Sequence, residues 1–476
     1  MHHLGIYPHR SLQKLARKHG PIMLLQLGSV KTLVISSAEA AQEIMKTNDL
    51  NFLNRPESEV NRKLLYDFRD VSVAPYGEYW RQMKSICVLQ LLSNKRIQSI
   101  RYIREEETDL LINKIGEGSR IGWSSGGGVL NLSEMFMTLT NDVVSRAAFG
   151  RKYSEGENGR KFRKMMSEFV SVLGGFDFGT FLPWLGWIDR VNGLTARVER
   201  IAKEMDEFLE TVLEEHIDSD RRKNYSERKV TRDHENDGDQ SGEDFADVLL
   251  RIYKDKAAGI SIDRDSIKAL LVDIFSGGTD TTYTVLEWAM TQLLRHPKAM
   301  KDLQTEVREI TNGRNEITDQ DLEKMKYLKA VIKETLRLHP PIPLLVPRKA
   351  IKDAKIMDYD ISAGTMVITN AFAIGRDPLL WEDADEFKPE RFLNSCIDFI
   401  GQDFQLIPFG AGRRGCPGIS FAMATNEHVL ANLMLKFNWN LPNGIQGEDL
   451  DMTECTGLTI HRKIPLLAVA TPMSRF

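Results

Sequence analysis

One long stretch without proline constrains the fold of this chain most strongly. No proline occurs from Ser266 to Arg295, and Pro297 supplies a stop just beyond it. The run exceeds the roughly 8 to 20 residues of a typical globular helix. The sequence therefore predicts one unusually long helix that crosses the molecule.

Two further segments carry clear helix ends. Residues 132–150 finish at Gly150 in the manner of a C-cap, and a second segment starts near Pro297 and finishes at Asn312 and Gly313. Most of the chain is predicted to be helical.

Strand patterns are few. Residues 22–36 read as two strands around a turn at Gly28 and Ser29, followed by a helix with a predicted capping box from Ser36 to Glu39. Short strand-like pieces return only late in the chain. The predicted fold class is mainly α with a minor β part.

Composition and charge exclude several classes of protein. The chain has 476 residues, of which 42% are hydrophobic and 27% charged, as in an ordinary globular protein. Its formal net charge of −4 gives no indication of nucleic-acid binding. Four cysteines without a CxxC pair argue against a disulfide framework or a structural zinc site. No apolar run approaches the roughly 18 residues that cross a bilayer.

The length of the chain alone suggests about three domains. One polar segment bears on whether the chain is divided in this way. Residues 218–244 contain almost no apolar side chain and read as a mobile surface connection. A linker between two globular domains is the alternative. The predicted helices and strands on the two sides of the segment do not have to form two separate folds. The sequence therefore predicts a single domain over residues 1–476, with 218–244 as a surface loop.

The segment LIPFGAGRRGCPG, residues 406–418, sets one cysteine among four glycines and two arginines. Residues 410–415 match the GxGxxG of a dinucleotide-binding turn, which requires an acidic residue about 20 positions further on. Residues 429–438 contain no acid and follow a helical period. The dinucleotide match is therefore interpreted as accidental.

Cys416 is the residue of this segment best placed for chemistry. It lies just before a predicted helix of residues 419–437, where free backbone N–H groups and the helix dipole stabilise a thiolate and suit it to binding iron. The alternative is a small buried cysteine, the commoner case for an isolated thiol. The surrounding glycines and arginines favour the metal-binding interpretation.

Five positions of this segment resemble a known family signature. Phe409, Gly412, Arg414, Cys416 and Gly418 reproduce the F-x-x-G-x-R-x-C-x-G pattern of the cytochrome P-450 haem-thiolate monooxygenases. The resemblance implies the cytochrome P-450 fold, with the long helix over a haem b group (iron protoporphyrin IX). It also implies that Cys416 is the iron ligand, that Phe409 packs beside the sulfur and that Arg414 pairs with a haem propionate.

The long predicted helix contains a second motif. Gly277 and Gly278 each cost roughly 1 kcal/mol relative to alanine in a helix interior, so a function should offset them. A bond from the Thr281 hydroxyl to the Gly277 carbonyl would open the helix and leave room for a small ligand. Close helix packing is the alternative. Residues 277–282 resemble the family's oxygen-activation motif, which implies that Thr281 bonds iron-bound dioxygen and that Asp280 relays protons.

Charged residues elsewhere match structural motifs of the same family. Glu334 and Arg337 form an ExxR pair on one helix face, and Arg391 in the sequence PERF is implied to complete a buried structural triad. An exposed ion pair of little value is the alternative.

Three further residues are implied to contact the haem propionates. Trp80 and Lys84 occupy positions of the family's W-x-x-x-R helix, and Arg348 occupies the position of a strand arginine. Lysine replaces the usual arginine at position 84, so the bidentate pairing of arginine is lost there.

Substrate contacts are implied by position in the family pattern. These side chains are mainly apolar, which suits a terpenoid, a coumarin or another phenylpropanoid-derived compound. The aromatic stretch 176–189 around Trp184 and Trp187 is predicted either to dip into a membrane or to pack in the core. The predicted substrate contacts are Val73, Phe178, Gly277, Gly278, Leu344, Leu345, Val346 and Leu458.

These motifs together resemble the plant microsomal class of the family, in the group that acts in specialised metabolism. That class implies an NADPH-cytochrome P-450 reductase as electron donor, dioxygen as oxidant and oxidation of an unactivated C–H bond. It also implies attachment to the endoplasmic-reticulum membrane, on its cytosolic face, through an anchor and hinge that are missing before Met1. Two alternatives remain: a reductase-independent haem-thiolate isomerase or dehydratase, which intact Asp280 and Thr281 disfavour, and a nucleotide-binding helical protein without haem.

Overall fold

The structure is a computed structural model that describes residues 4–123, 128–153, 156–175, 177–227, 242–255 and 262–473. The chain separates into two compact units, each assembled from distant stretches of sequence. The first unit comprises Met1–Pro56, Arg104–Thr140 and Gly278–Phe476, and the second comprises Glu57–Ile103 and Asn141–Gly277.

All the strands in the described residues belong to the first unit. The four-stranded sheet has the order Ile22–Leu27, Val30–Ile35, Met366–Thr369, Arg348–Lys349. The three-stranded antiparallel sheet has the order Val129–Asn131, Leu467–Pro472, Phe437–Asn440, and a two-stranded sheet pairs Ala354–Ile356 with Tyr359–Ile361.

Helices form most of both units, which confirms the mainly α fold class. The first unit contains Pro8–His19, Ala38–Gln42, Pro297–Thr311, Asp319–Lys324, Lys326–Leu338, Ala371–Ile374 and Ile419–Lys436. The second contains Glu59–Leu64, Glu78–Ile86, Asn94–Ser99, Gly156–Leu173, Phe178–Phe181, Ile188–Val191, Leu194–Glu227 and Phe245–Lys254. Three helices belong partly to each unit: Arg101–Trp123, Leu132–Phe149 and Arg264–Arg295.

The strand hairpin predicted for residues 22–36 is confirmed. Its antiparallel register begins with Ile22 opposite Ile35. Gly28 closes the turn at φ +62°, in the left-handed region that favours glycine. The second strand then extends the sheet by pairing in parallel with Met366–Thr369.

The predicted capping box from Ser36 to Glu39 is wrong. The helix Ala38–Gln42 is capped instead by Ser37, whose side chain accepts a backbone N–H of the first turn. Ser36 still belongs to the extended chain, because its N–H donates to the Pro21 carbonyl at 2.8 Å. Ser36 therefore belongs to the hairpin, and the cap falls on the next residue.

The long helix predicted over Ser266–Arg295 is confirmed as Arg264–Arg295, with 32 residues. The other predicted helix ends are confirmed as well. Gly150 and Asn312 adopt left-handed φ values of +70° and +48° directly after their helices.

The core of the first unit joins its four-stranded sheet to the segment 406–418, called the cysteine loop below. Ile35 of the sheet, Ile44 of the following helical segment, and Ile407 and Ala411 of the loop are all buried in one hydrophobic cluster. The sheet therefore supports the loop directly.

The core of the second unit contains a cluster of aromatic rings. Phe149 stacks on Phe275 with ring centroids 5.8 Å apart. Phe162 lies 4.9 Å from Phe275, and Phe208 lies 4.7 Å from Phe162. Such offset and edge contacts add to the free energy of burial. They join the long helix to the helices Gly156–Leu173 and Leu194–Glu227.

The first residues of the surface loop predicted at 218–244 are helical instead. The helix Leu194–Glu227 runs into it, and Asp244 already caps the helix Phe245–Lys254. Residues 228–241 of the prediction lie outside the described residues. The single-domain interpretation that rests on this segment stays a prediction.

The aromatic stretch near Trp184 is relevant to membrane contact. Over the described ranges, no single helix is both long and apolar enough to span a bilayer, although the bent pair Lys161–Phe181 and Pro183–Val191 passes on length and composition. Trp184 and Trp187 are 65% and 60% exposed. The core-packing alternative is therefore wrong for these two side chains.

Candidate functional site

The cysteine loop leaves the Cys416 thiol exposed. The N–H of Cys416 donates to the Phe409 carbonyl at 3.0 Å, which closes the loop on itself. The N–H of Gly418 donates to the Cys416 sulfur at 3.3 Å, and the helix Ile419–Lys436 begins with the next residue. A sulfur that accepts a backbone N–H at a helix start is stabilised as the thiolate, the form that binds a metal.

The loop does not follow a strand, as a dinucleotide-binding turn would. Residues 370–436, all of them described, contain no strand. The GxGxxG match at residues 410–415 is therefore accidental, as the sequence indicates.

Gly412 fixes the path of the loop. Its φ is +70°, and a Cβ added there would lie 2.1 Å from the Met45 carbonyl oxygen and 2.8 Å from Asp49 Oδ1. No larger residue fits this position, because both the backbone conformation and the space demand glycine.

Asp49 anchors the loop and was not recognised from the sequence. Its carboxylate is 3% exposed and accepts a hydrogen bond from Arg348 Nη1 at 2.7 Å. It also accepts the Arg413 N–H at 3.2 Å and Arg413 Nη1 at 3.1 Å. Arg348 in turn donates to the Ala411 carbonyl at 2.7 Å. A lone aspartate in the 3₁₀ turn Asp49–Phe52 carries no sequence signal for this role.

The remaining predicted propionate contacts have protein partners in the structure. Arg414 is buried and donates from Nε to the Leu53 carbonyl at 2.8 Å. The indole N–H of Trp80 donates to the Val71 carbonyl at 3.0 Å, and Lys84 lies half-buried on the same helix. A propionate contact of Trp80 would require this hydrogen bond to be exchanged, and all of these contacts stay predictions.

The structure brings Glu334, Arg337 and Arg391 together. Arg337 reaches both carboxylate oxygens of Glu334, and Arg391 Nε donates to Glu334 Oε1 at 3.0 Å. The side chains of Glu334 and Arg337 are 0% exposed. The alternative of an exposed ion pair is therefore wrong.

Asp280 lies in a polar cluster within the first unit. The Thr459 hydroxyl donates to Asp280 Oδ2 at 3.4 Å. Burial raises the pKa of Asp280, while the nearby charge of His461 and the Thr459 hydroxyl oppose this shift. A carboxyl whose pKa is raised holds its proton more readily than an ordinary carboxyl, which suits it to passing protons.

The long helix leaves space at Gly277 rather than packing closely there. A Cβ added at Gly277 would meet no atom within 4 Å. The hydroxyls of Thr279 and Thr282 are buried and have no hydrogen-bond partner among the described residues. Because buried hydroxyls are normally bonded, this fits a site completed by a ligand or water.

The predicted substrate contacts divide into two groups. Val73, Phe178, Val346 and Leu458 are half-buried, so their side chains keep accessible surface. Leu345 is buried in the core cluster of the four-stranded sheet, and Leu344 packs partly buried beside Leu12, Met23 and Val34. The first group is therefore better placed to touch a ligand.

The donor set of the cysteine loop fits a haem. The exposed Cys416 sulfur is a soft ligand suited to iron, and Gly410 and Gly412 keep Cβ atoms away from the backbone around it. Arg414 supplies a fixed cation two residues before the sulfur.

Comparison with known proteins agrees with this geometry. A family model described as Cytochrome P450 matches residues 2–468. The chain belongs to the cytochrome P450 family. It is therefore a haem-dependent monooxygenase, and its relatives place it in the plant specialised-metabolism group.

Curated relatives and solved structures resemble this P450 over almost its whole length. It is 56% identical to cytochrome P450 736A117 of Prunus mume, over 99% of this chain and 88% of the relative. It is 49% identical to the tabersonine/lochnericine 19-hydroxylase of Catharanthus roseus, over 100% of this chain and 91% of the relative. A zebrafish cytochrome P450 structure with abiraterone superposes with a TM-score of 0.79 at 23% identity, over 99% of this chain and 100% of that one, which shows the shared fold.

Proposed function

We propose that this P450 takes electrons from NADPH through a cytochrome P450 reductase and inserts one atom of O2 into a C–H bond of an apolar plant specialised metabolite. The observation that carries the proposal is the exposed Cys416 sulfur, which accepts the Gly418 N–H in a loop anchored by Asp49. Membership of the family supports the monooxygenase reaction. The usual electron donor of that family supports the proposed dependence on a reductase.

Three residues of the cysteine loop and three residues outside it have proposed tasks toward the bound haem. The haem, once bound, supplies the activation of dioxygen. Cys416 would hold the iron, Phe409 would pack beside the sulfur, and Arg414 with Arg348, Trp80 and Lys84 would face the propionates. The Cys416 thiolate would donate electron density to the iron that it holds.

Asp280 and Thr281 would manage the protons of the reaction. The raised pKa of Asp280 lets this carboxyl carry a proton and release it to a neighbouring hydroxyl. Thr281 is the adjacent hydroxyl in the motif. The same pair argues against a reductase-independent isomerase, which needs no proton delivery from solvent.

The substrate is proposed to be a rigid, mainly apolar plant compound. Val73, Phe178, Val346 and Leu458 would provide apolar contacts, while Gly277, with Gly278 beside it, would leave space for the ligand. Terpenoids and coumarins suit such a site. The relatives named as norfluorocurarine oxidase and tabersonine/lochnericine 19-hydroxylase, at 48% and 49% identity, add alkaloids to the candidates.

The enzyme is proposed to work at the cytosolic face of the endoplasmic-reticulum membrane. Plant relatives of this kind are typically microsomal, which supports the assignment. The exposed Trp184, Trp187 and Val191, the last 76% exposed, would lie at the membrane surface.

Product formation tests the proposal. The purified protein, loaded with haem, is screened for substrate-induced spectral shifts with terpenoids, coumarins and alkaloids, and each binder is incubated with reductase, NADPH and isotopically labelled dioxygen. We expect one labelled oxygen atom in the product and none when the reductase is left out. Product formed without reductase, or without the label, would instead indicate a rearrangement.

A further inference from the structure

Two aspartates in the second unit hold the segment 69–73, which contains the predicted substrate contact Val73 and is called the loop below. Asp273 lies on the long helix, four residues before Gly277. Its Oδ2 atom accepts the N–H of Val71 at 2.6 Å and the N–H of Ser72 at 3.1 Å. A carboxylate that takes two consecutive backbone N–H groups fixes the direction of the chain there.

Asp70 makes the complementary contacts from within the loop. It is 0% exposed, and its Oδ2 atom accepts the Ser72 hydroxyl at 2.6 Å and the Val73 N–H at 2.7 Å. Ser72 therefore donates its backbone N–H to Asp273 and its hydroxyl to Asp70. We call Asp70, Asp273 and Ser72 the carboxylate clasp.

The carbonyl groups of the same segment are held from a neighbouring helix. Tyr79 donates its hydroxyl to the Arg69 carbonyl at 2.7 Å, and Trp80 donates its indole N–H to the Val71 carbonyl at 3.0 Å. The helix Glu78–Ile86 thus orients the carbonyls and the clasp orients the N–H groups. Residues 69–73 are bonded along both edges of the backbone.

Ionising both carboxylates of the clasp would cost free energy, so the arrangement favours a proton on Asp273. Burial, and then the nearby charge of Asp70, raise the pKa of Asp273 to about 8, against the opposing N–H donors of Val71 and Ser72. Arg69, which belongs to the same segment, forms an ion pair with Asp263. Two carboxylates close together, one of them fully buried, cannot both ionise without a large cost in free energy.

We propose that Asp70 and Asp273 are positioning residues that hold Val73 in place and thereby set which substrates this P450 accepts. The inference rests on the proposed function, in which Val73 contacts the substrate. The clasp acts on the reaction only through this loop, so its loss should alter substrate affinity and selectivity while the haem stays bound.

The raised pKa of Asp273 determines how the clasp responds to pH. A carboxyl whose pKa is raised on folding favours the protonated folded state, so the clasp is intact below about pH 8. Above that pH Asp273 is ionised and is repelled by the nearby charge of Asp70, which loosens the loop. Binding of a ligand that needs the loop should weaken above about pH 8.

Two azoles separate the loop from the haem in the test. Imidazole coordinates the haem iron alone, whereas ketoconazole also fills the substrate site, and both give a spectral shift. The variants are Asp273→Ala, Asp273→Asn and Ser72→Ala, with Asp265→Asn as control, because Asp265 is an exposed aspartate of the same helix. The carbon monoxide spectrum of each reduced variant is recorded first.

We expect Asp273→Ala and Ser72→Ala to lose about tenfold in ketoconazole affinity, with unchanged imidazole affinity and an intact carbon monoxide band. Asp273→Asn mimics the protonated group, so it should bind like the wild type at pH 7 and lack the loss above pH 8. If Asp273→Ala does not fold, Asp273→Asn and Ser72→Ala carry the test.

Wild-type ketoconazole affinity in Asp273→Ala and Ser72→Ala would overturn the clasp. Equal losses for both azoles, or an unchanged pH profile in Asp273→Asn, would overturn it as well. A wild-type protein without the carbon monoxide band would overturn the haem-thiolate assignment instead, so the two failures are distinct.

Discussion

Arg337 donates hydrogen bonds to both carboxylate oxygens of Glu334, from Nε at 2.7 Å and from Nη2 at 2.8 Å. The other guanidinium nitrogen, Nη1, donates to the carbonyls of Gly375 and Ala384 at 2.6 Å. Glu334 also accepts the Lys388 N–H at 2.7 Å. One buried ion pair therefore ties the helix Lys326–Leu338 to residues 375–391.

Glu334→Ala should destabilise the protein strongly. The change leaves Arg337 buried without its counter-ion, and losing one partner of a buried pair typically costs about 3–5 kcal/mol. We expect low haem content and early unfolding in urea, compared with Glu323→Ala, which removes an exposed carboxylate nearby. A fully loaded Glu334→Ala protein of wild-type stability would contradict the structural role.

Asp49→Ala should disturb the cysteine loop. It leaves Arg348 buried and unpaired, at a cost of about 3–5 kcal/mol, and frees the Arg413 N–H. Replacing both partners, as in Asp49→Leu with Arg348→Met, should recover part of the free energy of unfolding, because no buried charge then remains. If the single variant unfolds at the wild-type urea concentration, Asp49 is not the anchor.

Thr281→Ala should uncouple NADPH oxidation from product formation and release more hydrogen peroxide. The reason is that the variant lacks the hydroxyl that would deliver protons with Asp280. Thr291→Ala is the matched control, because it removes another hydroxyl of the same helix, which bonds only its own backbone at 2.7 Å. Product, peroxide and NADPH are measured together, and equal coupling in both variants would refute the role of Thr281.

The ion pair of His216 and Asp244 should make stability depend on pH. Burial lowers the pKa of His216, but the hydrogen bond at 2.9 Å and the charge of Asp244 outweigh it and raise the pKa to about 9. A raised histidine pKa stabilises the fold fully below the ordinary value of 6.5 and loses this effect as pH rises through about 9.

His216→Gln measures that contribution. Relative to this variant, the wild type should be more stable by up to about 3 kcal/mol at pH 6 and should lose the advantage by pH 10. Urea unfolding at the two pH values gives the comparison. The same difference at both would show that the imidazole is not charged in the folded protein.

The sequence predicts those parts of the fold that depend on local pattern. The hairpin at Gly28 and the long helix are set by turn chemistry and by the absence of proline, which act over neighbouring residues. The cap at Ser37 was misplaced by one residue, because the N–H of Ser36 bonds to Pro21 across the sheet. Such a contact has no trace in the local sequence.

In the candidate site, too, the sequence reveals the residues of a local pattern but not the contacts between distant residues. Cys416 and Gly412 are recognisable because the loop needs both at fixed spacing. Asp49 meets Arg348 and Arg413 from positions about 300 or more residues away, so only the fold reveals it. Asp273 and Asp70 were likewise invisible, because their partners are backbone N–H groups whose direction depends on the loop.

The carbon monoxide spectrum of the reduced protein tests the haem-thiolate assignment most directly. We predict the band typical of thiolate ligation for the wild type and for Cys396→Ser, which removes a different exposed thiol. Cys416→Ser should lose that band. A Cys416→Ser protein that keeps the band, or a haem-loaded wild type that lacks it, would contradict the account.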